Sequence, residues 1–319
     1  MTNPLVRTAL RDSLAQVRHV TPASTREGYT HLERELGVLA PWIALHSPAP
    51  DLLAASWTLL RETLIASGNV DRTTKEAVAT IVALGNGNRY LVEVHTAIMD
   101  ALAEARALDD PEYDHRVRAV ADWTRASRFR ATATKRAMPE HAGELIGVLV
   151  AAHYLTRMAN VFLPESPFPG VPAAARTRAL ALLGRALLPA ATAWHEPGPA
   201  GAVFLAGETF AAAGERSVPP AVRELVQIEL STWDGGPVDR GWVESAVRGL
   251  PLAERPAGRL ALLAALASAA VDDELVADYR IGAPDDRALV ELVSWAGFSA
   301  ANTIGSWAAL ARIPEPVGG

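Results

Sequence analysis

Apolar residues recur along this chain three or four positions apart, which is the spacing of one helix face, and few segments alternate polar with apolar residues. The stretch from Asp51 to Ala66 is typical, with its large apolar side chains at helical spacing before a Ser-Gly-Asn stop. Alanine, leucine, arginine and glutamate, all good helix formers, are abundant. The sequence therefore predicts an all-α fold. The predicted helices cover 51–66, 71 or 73 to 84, about 89–107, 112–126, 141–161, 173–191, 201–213, 219–232, 239–248, 257–271 and 286–311.

The overall composition narrows the classes of function. Of the 319 residues, 50% are hydrophobic and 21% are charged, so the chain is globular and can bury a substantial core. A formal net charge of −6 argues against a nucleic acid as partner, because binding its backbone requires a basic face. The chain contains no cysteine, which excludes disulfides, thiolate metal sites and thiol redox chemistry within it.

No segment of the sequence predicts a membrane span. The longest nearly apolar run, from Leu260 to Val271, is too short to cross a bilayer, and two arginines interrupt the N-terminal segment where a signal peptide would need an apolar core. We expect a cytoplasmic protein without a membrane partner.

A proline-rich segment near the midpoint suggests two parts. Residues 164–172 hold four prolines and cannot stay helical. The predicted organisation is a first helical repeat over 1–162, a linker over 163–172 and a second repeat over 173–319.

Short internal matches support this duplication because they share nearly one offset. The paired segments are 62–68 with 208–214 (208 − 62 = 146), 75–78 with 223–226 (223 − 75 = 148), and 144–146 with 291–293 (291 − 144 = 147). The copies are not chemically equivalent. At these offsets His95, His153 and Arg157 correspond to Val243, Ala300 and Ile304, so any reaction centre belongs mainly to the first copy.

The segment from Glu76 to His95 carries the most suggestive chemistry. It places an acid on one predicted helix, a break at residues 85–87, and a histidine early on the next helix. Two helices joined by so short a break can fold back on each other and bring the carboxyl and the imidazole together.

This segment resembles the signature of the alkyl hydroperoxidase D / carboxymuconolactone decarboxylase family. The resemblance is specific over about 50–105, fair over 140–162 and weak in the second copy. It implies an all-helical fold. Peroxidase members of the family carry a glutamate, twelve residues later a Cys-x-x-Cys at a helix start, and a histidine four residues after the second cysteine. Here the acid and histidine match as Glu76 and His95, but Asn88 and Leu91 replace the cysteines. Thiol-based peroxide reduction is therefore not expected.

Glu76 and His95 are the candidate catalytic residues. A glutamate buried against an imidazole can have its pKa moved toward neutrality, as general acid–base catalysis requires. The alternative is structural, with Glu76 paired inside the bundle and His95 a satisfied interior histidine.

Four further residues are candidates for substrate binding. Asn88 and Tyr90 flank a helix start that suits an anion, although Asn88 fits an ordinary N-cap better. His153 and Arg157 lie one turn apart on an otherwise apolar helix, where they would either line a pocket with His95 or form a structural hydrogen-bond network. The spacing of Glu93 and His95 directs them to different helix faces, so no metal site is expected.

The leading functional hypothesis is a cofactor-free enzyme, of decarboxylase or isomerase type, acting on a small organic molecule that can carry a carboxylate. Glu76 would donate or accept the proton with His95 as its partner. The competing hypothesis is a non-catalytic helical ligand-binding or assembly protein that kept the scaffold after losing the thiols. The resemblance also implies a homo-oligomer, such as a trimer of fused pairs.

Overall fold

The structure is a computed structural model, and it describes residues 14–22, 29, 32–33, 35–36, 38–104, 111–188, 193–194, 196–283 and 285–310. Over these residues the fold is all-α, as the sequence predicts, and the only strand-like pairing among them is an isolated bridge between Ser67 and Ala193. The helices are α1 (Pro41–Ala44), α2 (Pro50–Leu60, extended by a π turn at Arg61–Ile65), α3 (Arg72–Gly85), α4 (Arg89–Glu104), α5 (Pro111–Ser127), α6 (Arg130–Ala133), α7 (Ala142–Phe162), α8 (Ala173–Ala186), α9 (Gly198–Ser217), α10 (Pro220–Thr232), α11 (Arg240–Ala246), α12 (Arg255–Leu266), α13 (Asp273–Gly282) and α14 (Asp286–Ala309).

Most predicted helices are present within a few residues of their expected ends. Parts of three predictions, 105–107, 189–191 and 311, lie outside the described residues. Helix α13 is missed by the sequence pattern, since Val276 and Tyr279 are its only buried residues and give no apolar stripe. Its start is nevertheless marked, because Asp272 caps it by accepting from the backbone of Leu275.

Helix α7 runs through the centre of the fold and is buried on nearly every side. Of the described helices it is the one long and apolar enough to cross a membrane, and 89% of its most apolar window is buried inside the structure. Such burial fits the core helix of a soluble protein.

Helix positions repeat along the chain at an offset close to that of the sequence matches. Helices α2 and α9 begin at 50 and 198 (148 apart), α3 and α10 at 72 and 220 (148 apart), and α7 and α14 end at 162 and 309 (147 apart). Helix α9 packs on α2, and α14 packs on α7. These spacings support our proposal that the chain is a tandem duplication whose equivalent helices pair across the centre.

Candidate functional site

The acid and the histidine singled out by the sequence lie in direct contact. Glu76 is on α3 and His95 on α4, and both are buried. The His95 Nδ1 atom lies 2.6 Å from Oε2 of Glu76. The short break between α3 and α4 produces this contact, because it turns the second helix back along the first.

A third residue, Arg72, completes the cluster and was not predicted. Its Nε donates to Oε1 of Glu76 at 2.5 Å, so each carboxylate oxygen has its own donor. Arg72 precedes Glu76 by four residues on the same helix, which places both on one face. This i, i+4 spacing is the signal in the sequence that could have revealed Arg72.

The electrostatics of Glu76 correct one expectation. Burial alone raises the pKa of this carboxyl, but the charge of Arg72 and the contact with His95 together outweigh burial and lower the pKa below its usual value. The expected movement of the Glu76 pKa toward neutrality is therefore wrong, and the group stays ionised at neutral pH.

An ionised Glu76 changes the division of roles within the pair. Its carboxylate only accepts hydrogen bonds, so the Nδ1 of His95 carries the proton and donates it. With Nδ1 engaged by Glu76, Nε2 is the ring nitrogen that faces away from the carboxylate. Within the described part of the chain Nε2 has no hydrogen-bond partner. His95 is thus the group suited to proton transfer, and Glu76 orients it.

The structure gives Asn88 a structural role. Its Oδ1 accepts from the backbone of Leu91 at 2.7 Å, which caps α4, and its Nδ2 donates to Oδ1 of Asn160 at 2.7 Å. The N-cap interpretation of Asn88 is confirmed.

Tyr90 is buried, and its hydroxyl has no hydrogen-bond partner among the described residues. Burial raises the pKa of this hydroxyl far above its usual range, so it stays protonated. Tyr90, Asn88 and the exposed Arg89 line a small cavity of about 190 Å³. Glu76 and His95 are not among the residues that line it.

His153 and Arg157 lie together on α7 but apart from His95. They line a different cavity, of about 410 Å³, with Arg128 and the loop at Gly85–Gly87. Neither Glu76 nor His95 lines this cavity. Among the described residues no cluster of three histidine or acidic side chains could hold a metal ion.

The described part of the chain is an all-α bundle that holds a buried carboxylate–imidazole pair, and the sequence contains no cysteine. The chain is 31% identical over 331 aligned positions, covering 91% of its own length and 94% of the relative's, to "Alkyl hydroperoxide reductase Rv2159c" from Mycobacterium tuberculosis (strain ATCC 25618 / H37Rv). The chain therefore belongs to the alkyl hydroperoxidase D-like family. No family model and no solved structure matches it.

Proposed function

We propose that this protein carries out cofactor-free acid–base chemistry on a small organic molecule, with His95 as the proton-transfer group. The observation that supports this best is the buried 2.6 Å contact between His95 Nδ1 and Glu76 Oε2. Carboxylated substrates that lose carbon dioxide or isomerise through an enolate are the class we favour, since both reactions need a proton moved at carbon.

In this proposal Nε2 of His95 takes a proton from the substrate, or returns one to it, while Glu76 remains ionised. The adjacent carboxylate stabilises the imidazolium that forms in between. The relative is named an alkyl hydroperoxide reductase. Peroxide reduction by thiols of this chain is excluded, because it has no cysteine to supply a thiolate.

Proton transfer can be tested before the full reaction is known. A panel of small 2-oxo acids and unsaturated lactones would be incubated with the protein in D₂O, and deuterium incorporation beside the carbonyl followed by NMR. We expect His95→Gln to abolish exchange, and Glu76→Gln to lower its rate by about 10²-fold or more because the imidazole loses its orienting anion.

The control is His141, an exposed histidine that directly precedes α7. His141→Gln should exchange like the wild type. Full exchange by both Glu76→Gln and His95→Gln would refute the assignment of roles.

The second candidate is a non-catalytic ligand-binding protein. It is favoured by the hydrogen bonding of Glu76, because donors inside the bundle already hold both of its carboxylate oxygens. Saturable binding of panel members without deuterium exchange by the wild type would support this alternative over the enzyme.

Cytoplasmic location and assembly as a homo-oligomer, such as a trimer of fused pairs, remain proposals. Size-exclusion chromatography with light scattering tests the second of these directly.

A further inference from the structure

We propose that the 410 Å³ cavity containing Arg128, His153 and Arg157 is a binding site for a small organic anion, separate from the Glu76–His95 pair. Its lining brings together two guanidinium groups and one imidazole and includes no aspartate or glutamate. The loop at Gly85 lies nine residues after Glu76 on α3, which is about 13 Å along the helix axis.

The strongest support for the anion site comes from Arg157, because it is a buried cation with no carboxylate as its hydrogen-bond partner. Of the three cations buried among the described residues, Arg61 pairs with Glu35 at 3.1 Å and Lys75 with Glu144 at 2.6 Å. Arg157 is only 3% exposed, and its hydrogen bonds among the described residues go to neutral groups. A buried charge without a counterion is costly, so a bound anion would supply the missing partner.

The hydrogen bonds of Arg157 leave one side of its guanidinium available. Nε donates to the carbonyl of Ala265 at 2.8 Å, and Nη1 donates to the backbone oxygen and the Nδ1 atom of His153. Nη2 has no partner among the described residues. The guanidinium is therefore held in position with donors still unused, as a carboxylate or phosphate site requires.

His153 adds a second donor, because its neighbours determine its tautomer. Its Nδ1 accepts from Nη1 of Arg157 at 3.1 Å, and the Asn86 side-chain amide lies 3.2 Å from the same atom. Burial and the charges of Arg157 and Arg128 lower the pKa of His153 well below its usual value. The ring is thus neutral, with its proton on Nε2 as a donor.

Arg128 closes the cavity from the end of α5. A Cβ built at Gly85 would lie 3.4 Å from Nη1 of Arg128, so the guanidinium lies over the loop. Burial, and next the charge of Arg128, lower the pKa of Arg157 to about 9. Asp234 is the acid nearest in sequence to the residues that line the cavity. Its Oδ1 accepts a hydrogen bond from the backbone N–H of Gly236 at 2.8 Å.

The other residues that line the cavity favour an anion that also has an apolar part. Trp233, Leu266 and Ile304 also line the cavity, and its volume suits a small organic molecule. Ile304 occupies the position that corresponds to Arg157 in the second copy, so the cavity joins the cationic face of one copy to an apolar face of the other.

Binding of benzoate, phenyl phosphate and benzyl alcohol, measured by isothermal titration calorimetry, tests the proposal. The three probes share the apolar ring and differ in the headgroup. We expect benzoate or phenyl phosphate to bind saturably, and the tighter of the two identifies the headgroup. Benzyl alcohol should bind more weakly by about tenfold or more, because it lacks the charge.

Two variants examine the cations separately. Arg128→Gln and Arg157→Gln should each weaken binding of the anion by about tenfold or more, whereas Arg89→Gln, an exposed arginine outside this cavity, should not. Arg128 is half-buried, so its variant remains informative if Arg157→Gln fails to fold.

Absence of saturable binding by both anions would overturn the proposal. Equal binding of benzyl alcohol, or unchanged affinity in Arg128→Gln, would overturn it as well. None of these outcomes bears on proton exchange by His95, so the two proposals fail independently.

Discussion

At the scale of single residues, Glu76 shows which properties of a site a sequence pattern can predict and which it cannot. The spacing of Glu76 and His95 predicts that they meet, and they do, at 2.6 Å. The charge state of Glu76 depends instead on a balance between burial and two neighbours, of which Arg72 is contributed by its own helix. A local pattern contains the neighbours but not the depth of burial, so the direction of the pKa shift was not predictable from sequence.

The lowered pKa of Glu76 predicts a pH-dependent contribution to stability. A carboxyl whose pKa is lower in the folded than in the unfolded chain stabilises the fold above the unfolded value, and this contribution is lost as the pH falls through the folded value. Glu76→Gln should therefore lower the free energy of unfolding by about 2 kcal/mol at pH 7. The difference should shrink once the pH falls below about 4.3, the ordinary pKa of glutamate.

Urea unfolding at pH 7 and at about pH 3, well below the ordinary pKa of glutamate, measures both values. Glu165→Gln is the matched control, since the pair of Glu165 with Arg89 is exposed on both sides and should change stability by less than about 0.5 kcal/mol. An equal loss for Glu76→Gln at both pH values would contradict the lowered pKa.

At the scale of helices, the sequence predicts the elements better than their contacts. The apolar periodicity indicates a helix from 173, and α8 begins there. Nothing in that pattern indicates that α8, which follows the proline-rich linker, packs back on α4 of the first half. The contact depends on Gly184, whose missing side chain lets the backbone of the two helices approach at Ala97.

Replacing each of two glycines with alanine separates the effect of close helix packing on stability from the effect of helix propensity. A Cβ at Gly184 would overlap the carbonyl oxygen of Ala97, so Gly184→Ala should lower the free energy of unfolding by about 1–3 kcal/mol. Gly143, exposed on α7, has open space around it, and Gly143→Ala should raise stability by about 0.5–1 kcal/mol. Thermal unfolding of both variants measures the difference, and two changes of the same sign would refute this account of the α4–α8 contact.

At the scale of the whole molecule, the repeat offset predicts two similar halves but not how they associate. The apolar α7 and α14 lie against each other along the core. Tyr154 on α7 joins the halves, because its hydroxyl lies 2.8 Å from Nε2 of His46 and donates to Ser294 Oγ on α14 at 3.1 Å. Polar links of this kind depend on side chains far apart in sequence, which is why no local motif indicated them.

Because the halves share one core, we expect the described fold to unfold in a single transition. Tyr154→Phe removes a hydroxyl that satisfies buried groups of both halves, so it should lower stability by about 1–3 kcal/mol and shift the whole transition. Tyr279→Phe is the control, since the buried Tyr279 hydroxyl has no partner among the described residues and its loss should cost little. Urea unfolding followed by tryptophan fluorescence and by circular dichroism tests both points. Coincident curves with a lower midpoint in Tyr154→Phe are expected, whereas two separate transitions would show that the halves fold independently.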